Sequence, residues 1–151
     1  MKISGEKQIK ATPEEIWAQL LDPDVLKQCV PGCEEVEITQ PLTYRAVATI
    51  KVGPVKARFS GDINIVDIDD FKSCRLVGKG SGGVAGYARG NAMVQLTPAE
   101  TGTRLSYDCE VQIGGKIASL GDRLFRSIAE KNVDSFFASF QKLTDQNVSA
   151  Q

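Results

Sequence analysis

The sequence predicts an α+β fold in which a curved antiparallel sheet of about seven strands wraps around a long carboxy-terminal helix. Short helical patterns precede Val30, alternating apolar and polar residues extend from Glu34 to Ile113, and helical periodicity returns from Lys116 to about Thr144. Consecutive strands joined by short turns pair antiparallel, which gives the sheet one apolar and one polar face. We expect the apolar stripe of the last helix to cover the apolar face of the sheet.

Composition narrows the classes of function. The length of 151 residues suits one domain, and we expect residues 1–151 to form a single ligand-binding domain. Lys and Arg total 18 against 19 for Asp and Glu, and the resulting net charge of −1 argues against nucleic-acid binding. The sequence shows neither a signal peptide nor an apolar stretch of membrane-spanning length. We therefore expect a cytoplasmic protein whose membrane contact is at most peripheral, at the inner face.

Two short helices should follow the first strand. In the first, Thr12 can cap the helix, Pro13 fits the first helical position, and Glu15 completes a capping box. Asp22 and Pro23 repeat the pattern of cap and first position, so a second helix should follow at an angle. The first helix and its end carry one apolar stripe, formed by Ile16, Trp17, Leu20 and Leu21.

The stretch CVPGC, Cys29 to Cys33, should end the second helix. Val30 precedes a proline and is therefore disfavoured in helical conformation, while Pro31-Gly32 suits the centre of a type II turn. The chain should turn there into its sheet.

The four cysteines do not have the spacing of a common metal site. A structural zinc site needs four ligands, usually in Cys-x-x-Cys or Cys/His pairs, whereas Cys29 and Cys33 are separated by three residues and the sequence contains no histidine. Cys74 and Cys109 lie on the apolar phase of their strands, so convergence of all four thiols stays open. We predict reduced, packed thiols and no metal site, since free cysteine usually behaves as a small buried apolar residue.

Alternation with period two runs through the middle of the chain. After Ile65 the phase changes, and a β-bulge near Ile65-Val66 is the simplest cause, because a bulge adds one residue and bends the sheet. The inward phase includes large side chains on several strands: Tyr44, Phe59, Leu76, Val94, Leu105 and Tyr107.

Glycines in GKGSGG satisfy the dinucleotide pattern G-x-G-x-x-G, at Gly78, Gly80 and Gly83. That pattern must open a helix, but VAGYARGNAMVQL predicts another strand, so we do not expect a phosphate site. The small residues of these two strands leave either room for a close helix or an empty volume. They are Gly78, Gly80, Gly86, Ala88, Gly90 and Ala92.

A single long helix is predicted from Lys116 to about Thr144. Its apolar stripe consists of Ile117, Leu120, Leu124, Ile128, Phe136, Phe140 and Leu143. A cavity of roughly several hundred Å³, mostly apolar, should lie between this helix and the small residues of the sheet. The predicted ligand-binding residues are Trp17, Tyr44, Phe59, Leu76, Ala92, Val94, Leu105, Tyr107, Leu120, Leu124, Ile128 and Phe136. No catalytic residue is predicted, since the sequence lacks histidine and a recognisable nucleophile setting.

Four stretches carry a family resemblance over nearly the whole chain: TPEEIWAQLLDPDVLKQCVPGC, IKVGPVKARFSGDI, GKGSGGVAGYARGNAMVQL and GGKIASLGDRL. In their residues and in their order along the chain, they resemble the G-subunit family of carbon monoxide dehydrogenase, which is part of the START-like helix-grip superfamily. The resemblance implies a helix-grip domain, a cytoplasmic accessory role for molybdenum-containing hydroxylases, an apolar cavity proposed to take a quinone, and a role at the membrane. It also places CVPGC in the wall and rim of the grip.

The resemblance further implies a molybdenum hydroxylase or its maturation factors as partner. Many family members continue into a linker and an apolar tail, whereas this sequence ends at DQNVSAQ, so we do not expect permanent membrane attachment through this chain.

Two classes of function fit this sequence. The first is a binding module that holds a quinone or another lipid-like molecule, with no tightly bound cofactor, and aids assembly, membrane recruitment or electron delivery. The second is an enzyme that cyclises polyketide-like substrates in the same fold; an uncharacterised lipid carrier is a further possibility. Polar chemistry inside the grip distinguishes them, because a cyclase needs positioned acids, bases or amides there. The inward residues favour a carrier.

Overall fold

The computed structural model describes residues 1–149, without the side chains of Val52 and residues 146–149. The strands are β1 (Lys2–Ile9), β2 (Cys33–Gln40), β3 (Thr43–Val52), β4 (Val55–Asp69), β5 (Ser73–Ser81), β6 (Tyr87–Ala99) and β7 (Gly102–Gly114). The helices are α1 (Pro13–Leu20), α2 (Pro23–Cys29), α3 (Lys116–Ser119) and α4 (Asp122–Ser149), with a 3₁₀ turn at Gly83–Ala85.

All neighbouring strands pair antiparallel, in the order β1-β7-β6-β5-β4-β3-β2. Strands β2 to β7 form a meander. Strand β1 pairs with β7, so the first and last strands along the chain are neighbours in the sheet. The predicted fold class is confirmed: a curved seven-stranded antiparallel sheet, two short helices after the first strand, and a long carboxy-terminal helix.

The caps of α1 and α2 follow the sequence pattern. The backbone N–H of Glu15 donates to Thr12 Oγ1, and the Thr12 N–H donates to Glu15 Oε2, both at 3.2 Å. Asp22 Oδ1 accepts from the Asp24 N–H at 2.9 Å, and a proline follows each cap. Both helices therefore begin where local chemistry satisfies their free backbone donors.

The long helix is interrupted where the sequence pattern predicted continuity. Helix α3 ends at Ser119 and α4 begins at Asp122, while Gly121 between them has a φ of +90°. A residue with positive φ cannot continue a right-handed helix, and glycine adopts this conformation without steric cost. The prediction of one helix from Lys116 was therefore wrong at its first turn.

The predicted bulge lies slightly further along β4. The register between β4 and β5 shifts between Val66 and Asp69, and Asp67 has a φ of +51°. The shift brings both Ile65 and Ile68 to the core side, Ile65 buried and Ile68 partly buried. It accounts for the change of phase seen in the sequence.

One end of the space between sheet and helices is fully packed. Phe140 of α4, Ile16 of α1 and Leu105 of β7 have no more than 1% of their surface exposed. Tyr44 packs in the same cluster, and its hydroxyl donates to the Leu21 carbonyl at 2.7 Å, which ties β3 to the end of α1. This packed cluster fixes the position of the helices over the sheet.

Two polar contacts hold α4 against the edge strand β1. Lys7 Nζ and Asp134 Oδ1 form an ion pair at 2.5 Å, and the Arg126 guanidinium donates to the Lys2 carbonyl. The Lys7 side chain is 30% exposed, so the pair lies at the border between α4 and solvent. It bridges β1 and α4 at one side of the grip.

The turn in CVPGC has the predicted type II geometry. Gly32 has a φ of +73°, and the Cys33 N–H donates to the Val30 carbonyl at 3.1 Å. The Gly32 carbonyl also accepts from the Thr49 N–H at 2.9 Å, which docks the turn on β3. A Cβ at residue 32 would lie 2.1 Å from the Thr49 carbonyl oxygen, so the position requires glycine.

Gly32→Ala should lower the free energy of unfolding by about 2 to 4 kcal/mol, because it combines positive φ with a backbone clash. Gly83→Ala is the matched control, since Gly83 has a φ of +65° but nothing within 4 Å of an added Cβ. The control should lose only about 1 kcal/mol. Urea unfolding measures both, and equal losses would show that the docked turn contributes nothing beyond backbone strain.

Candidate functional site

A cavity of about 380 Å³ lies between the inner face of the sheet, the α1–α2 pair and α4. We call it the main cavity. Its sheet wall consists of Ile65, Cys74, Leu76, Ala92, Val94, Leu96, Leu105, Tyr107 and Cys109. Its helical wall consists of Trp17, Leu20, Leu21, Leu26, Val30, Pro31, Asn132, Val133, Phe136 and Phe137. The lining is almost entirely apolar, as the sequence predicted for the space beneath α4.

A second cavity of about 360 Å³ continues along the same face of the sheet toward the β3–β4 hairpin. The two cavities share Leu76, Ala92 and Cys109, which are cross-strand neighbours on β5, β6 and β7. They therefore meet along one row of the sheet.

Small residues create the second cavity. Ala46, Gly61, Gly80 and Ala88 are cross-strand partners in one row, so four neighbouring strands present almost no side-chain volume there. For Gly80 and Ala88, which belong to the predicted set of small residues, the sequence left open whether they admit a close helix or an empty volume. The structure shows an empty volume over them.

Aromatic rings of the helical wall of the main cavity pack against one another and against the sheet. Phe136 and Phe137 meet edge to face with ring centroids 5.0 Å apart. Phe137 of α4 also stacks on Tyr107 of β7, with ring centroids 6.4 Å apart. Trp17 packs edge to face against Phe71 at 6.3 Å and is buried, with 8% of its surface exposed. Edge-to-face and offset-stacked ring pairs of this kind contribute about 0.5 to 1.5 kcal/mol beyond the burial of their surface.

Tyr107, Asn132 and Trp17, the last through its indole N–H, are the residues bordering the main cavity in the described chain, other than the cysteines, whose side chains carry polar groups. The Tyr107 hydroxyl lies over Gly5 of β1, since a Cβ there would be 2.5 Å from it, and Asn132 is exposed. Burial, the largest cause, raises the pKa of the Tyr107 phenol, while the nearby Lys7 ammonium lowers it. The hydroxyl therefore stays protonated at neutral pH and can donate a hydrogen bond. Because Lys7 and Asp134 lie close to this ring, the polar end of the cavity is near the β1–α4 border.

Seven predicted site residues line the main cavity, and Phe59 lines the second one. The seven are Trp17, Leu76, Ala92, Val94, Leu105, Tyr107 and Phe136. Tyr44 instead packs in the core, with its hydroxyl bonded to Leu21. Leu120 and Leu124 lie beside Gly53 of the β3–β4 hairpin, and neither they nor Ile128 are among the lining residues of either cavity. Ligand binding by any of these residues stays a prediction.

Most residues of the helical wall were not predicted from the sequence as cavity-lining residues. Leu20 and Leu21 belong to the recognised apolar stripe of the first helix, but nothing in one sequence indicated that α1 and α2 close a cavity. Val30 and Pro31 line its edge, in agreement with the family resemblance that placed CVPGC in the wall and rim. Phe137 neighbours the predicted Phe136 and faces the same space.

The four thiols lie on separate elements. Cys29 ends α2 and Cys74 lies on β5, both buried; Cys33 begins β2 and its thiol contacts the Glu35 carbonyl at 3.5 Å; Cys109 lies on β7. Burial raises the pKa of all four thiols, which disfavours the thiolate that binds metal or attacks disulfides. Within residues 1–149, no group of three His, Cys, Asp or Glu residues could hold a metal ion. The absence of a metal stays a prediction, which elemental analysis of the purified protein tests.

GKGSGG forms the end of β5 and leads into the 3₁₀ turn, and β6 follows it. The dinucleotide pattern is therefore followed by one 3₁₀ turn and then by the predicted strand, and it does not open an α-helix. None of the helices in the described chain combines the length and apolarity needed to cross a bilayer.

Comparison with known proteins identifies relatives. The protein-family model for the G subunit of carbon monoxide dehydrogenase (CoxG) matches residues 5–143. A crystal structure of a conserved protein from Geobacillus kaustophilus is similar to this chain at 30% identity and a TM-score of 0.91, covering 97% of this chain and 96% of that chain. No significant match was found among curated proteins.

More distant structures share the fold. Protein Ms6760 from Mycobacterium smegmatis has 17% identity and a TM-score of 0.73, covering 97% of this chain and 92% of that chain. Protein CV1439 from Chromobacterium violaceum has 15% identity and a TM-score of 0.69, covering 94% of this chain and 96% of that chain. At these identities the likeness concerns the fold alone.

Proposed function

Since the chain belongs to the CoxG family, the G-subunit family of carbon monoxide dehydrogenase, we propose that it serves a molybdenum-containing hydroxylase by binding an apolar ligand in its main cavity. The observation that carries this proposal is the main cavity itself. Its volume of about 380 Å³ falls within the range of small-molecule sites, and its walls are apolar and aromatic. Burial of apolar ligand surface there contributes roughly 25 cal/mol per Å².

A quinone is the ligand class that the polar groups favour. Tyr107 and Asn132 border an otherwise apolar space and carry hydrogen-bond donors, and a quinone carries carbonyl acceptors on an apolar ring. The pKa of Tyr107 is raised by burial, so the donor is present throughout the neutral range. A lipid-like molecule with a carbonyl group would use the same contacts.

The second cavity extends the space available to such a ligand. It joins the main cavity at Leu76, Ala92 and Cys109, and its floor is the row of small residues on β3 to β6. A ring in the main cavity could therefore continue into a side chain along the sheet. We propose that the second cavity holds the apolar tail of the ligand.

A cyclase would need a positioned acid or base in the main cavity. Among the described lining residues there is no Asp, Glu, Lys, Arg or His. Carriage of the ligand therefore explains the lining better than catalysis by the chain itself. A bound quinone would supply reversible two-electron chemistry, and the chain would hold it in an apolar space bordered by Tyr107. This arrangement supports a role in electron delivery alongside assembly or membrane recruitment.

Ala92→Phe should fill the junction of the two cavities. The affinity for decylubiquinone should fall about tenfold or more, equal to at least about 1.4 kcal/mol, while stability changes little because empty volume accepts the ring. Trp17 is the lone tryptophan and lines the main cavity, so quenching of its fluorescence by the quinone measures binding.

Gln95→Phe is the matched control, since Gln95 is exposed on the opposite phase of the same strand. It should leave quinone affinity unchanged. A packed core would instead lose about 1 to 3 kcal/mol on Ala92→Phe through overpacking. That loss, together with no quenching of the wild-type protein, would refute the carrier proposal.

Tyr107→Phe should weaken quinone binding about three- to tenfold, the value of one hydrogen bond. The same change should leave the affinity for diphenylhexatriene unaltered, because this hydrocarbon has no acceptor. Fluorescence titration with both probes separates the loss of a hydrogen bond from a change of cavity shape. An equal loss of affinity for both probes would contradict a direct role of the hydroxyl.

A further inference from the structure

The outer face of the sheet, opposite the main cavity, contains a groove of about 650 Å³ over strands β4 to β7. We call it the outer groove. Outward side chains of two neighbouring cross-strand rows form its walls, and backbone of Gly78 and Gly90 lies between them. The quinone proposal does not use this groove.

The first row consists of Asp62, Lys79, Arg89 and Gln112, each the direct cross-strand partner of the next. Lys79 and Arg89 therefore stand side by side on β5 and β6, although like charges directly opposite each other destabilise a sheet. Neither cation forms an ion pair within the described residues. The groove therefore contains two adjacent cations that form no ion pair with a carboxylate of the described chain.

Hydrogen bonds within the described chain orient two of the donor groups in the outer groove. Arg89 Nε donates to Gln112 Oε1 at 2.8 Å, which fixes the guanidinium plane and leaves its two terminal nitrogens for another acceptor. Asn64 Oδ1 accepts from Thr43 Oγ1 at 2.9 Å, so its amide NH₂ is also left to donate. Asn91 lies in the second row beside Arg89 and is partly buried.

Two carboxylates lie at opposite corners of the groove rather than at its centre. Asp62 is on β4, and no nitrogen of Lys79 lies within 4.0 Å of its oxygens, since this pair is absent from the ion pairs of the described chain. Glu110 is on β7 and pairs with Lys2 at 3.8 Å. By register, Lys79 and Arg89 therefore lie on the two central strands of the groove, between the strands of the two carboxylates, and Val77, 41% exposed, adds an apolar floor.

We propose that the outer groove binds a small organic oxyanion, with its phosphate or carboxylate between Lys79 and Arg89 and its organic part on Val77. A guanidinium fork beside an ammonium suits an anion with several oxygens, and the asparagine amides supply neutral donors to the remaining oxygens. The outer groove is thus a second binding site, chemically opposite to the apolar cavity on the other face.

Titration of the isotopically labelled full chain with inorganic pyrophosphate or citrate tests this site. Saturable shifts should appear at the backbone amides of Val77, Gly90 and Asn91 with at least one probe, and the tighter probe identifies phosphate or carboxylate as the preferred anion. Lys79→Gln and Arg89→Gln should each weaken that binding at least about tenfold, as expected for a charge-assisted contact.

Lys56→Gln is the control, because Lys56 is an exposed cation of β4 outside the outer groove. It should leave anion affinity unchanged, and all three variants should keep wild-type quenching of Trp17 by decylubiquinone. No saturable shift with either probe, or an equal loss of affinity in Lys56→Gln, would overturn the proposal. Neither result depends on whether the main cavity binds a quinone.

Discussion

The packed contact between helices and sheet at one end of the grip determines the rest of the structure. Phe140, Ile16 and Leu105 exclude solvent there and hold the helices at a fixed distance from the sheet. Further along, the row of small residues Ala46, Gly61, Gly80 and Ala88 on β3 to β6 lines the second cavity. Protein interiors otherwise pack without large voids, and the proposed apolar ligand would fill this space.

The two faces of the sheet have opposite chemistry. The inner face is apolar where it lines the main cavity, with Tyr107 at its border, while the outer groove combines adjacent cations with amide donors. The period-two alternation of apolar and polar residues produces both faces from the same strands, since successive side chains point to opposite faces of a sheet. A change in one strand register would therefore disturb both sites, and the bulge after Val66 fixes that register where β4 meets β5.

Local patterns predicted what depends on local chemistry. Capping residues gave the starts of α1 and α2, Pro31-Gly32 gave the turn, and alternation gave the inward residues of the sheet, including Ala92 and Tyr107. Features set by tertiary geometry were missed: the helix break at Gly121 lies within a continuing apolar pattern, and Leu120 and Leu124 turn toward the β3–β4 hairpin. The pairing of Lys79 with Arg89 depends on strand register, which one sequence does not contain.

Mass spectrometry of organic extracts from the purified protein tests the central claim most directly, namely that the space under the helices holds an apolar ligand. The claim predicts a quinone or lipid-like molecule in the wild-type extract at an appreciable fraction of the protein concentration, and its depletion from an extract of Ala92→Phe prepared in parallel. Extracts without any such molecule, from wild-type protein that also fails to bind decylubiquinone, would contradict it.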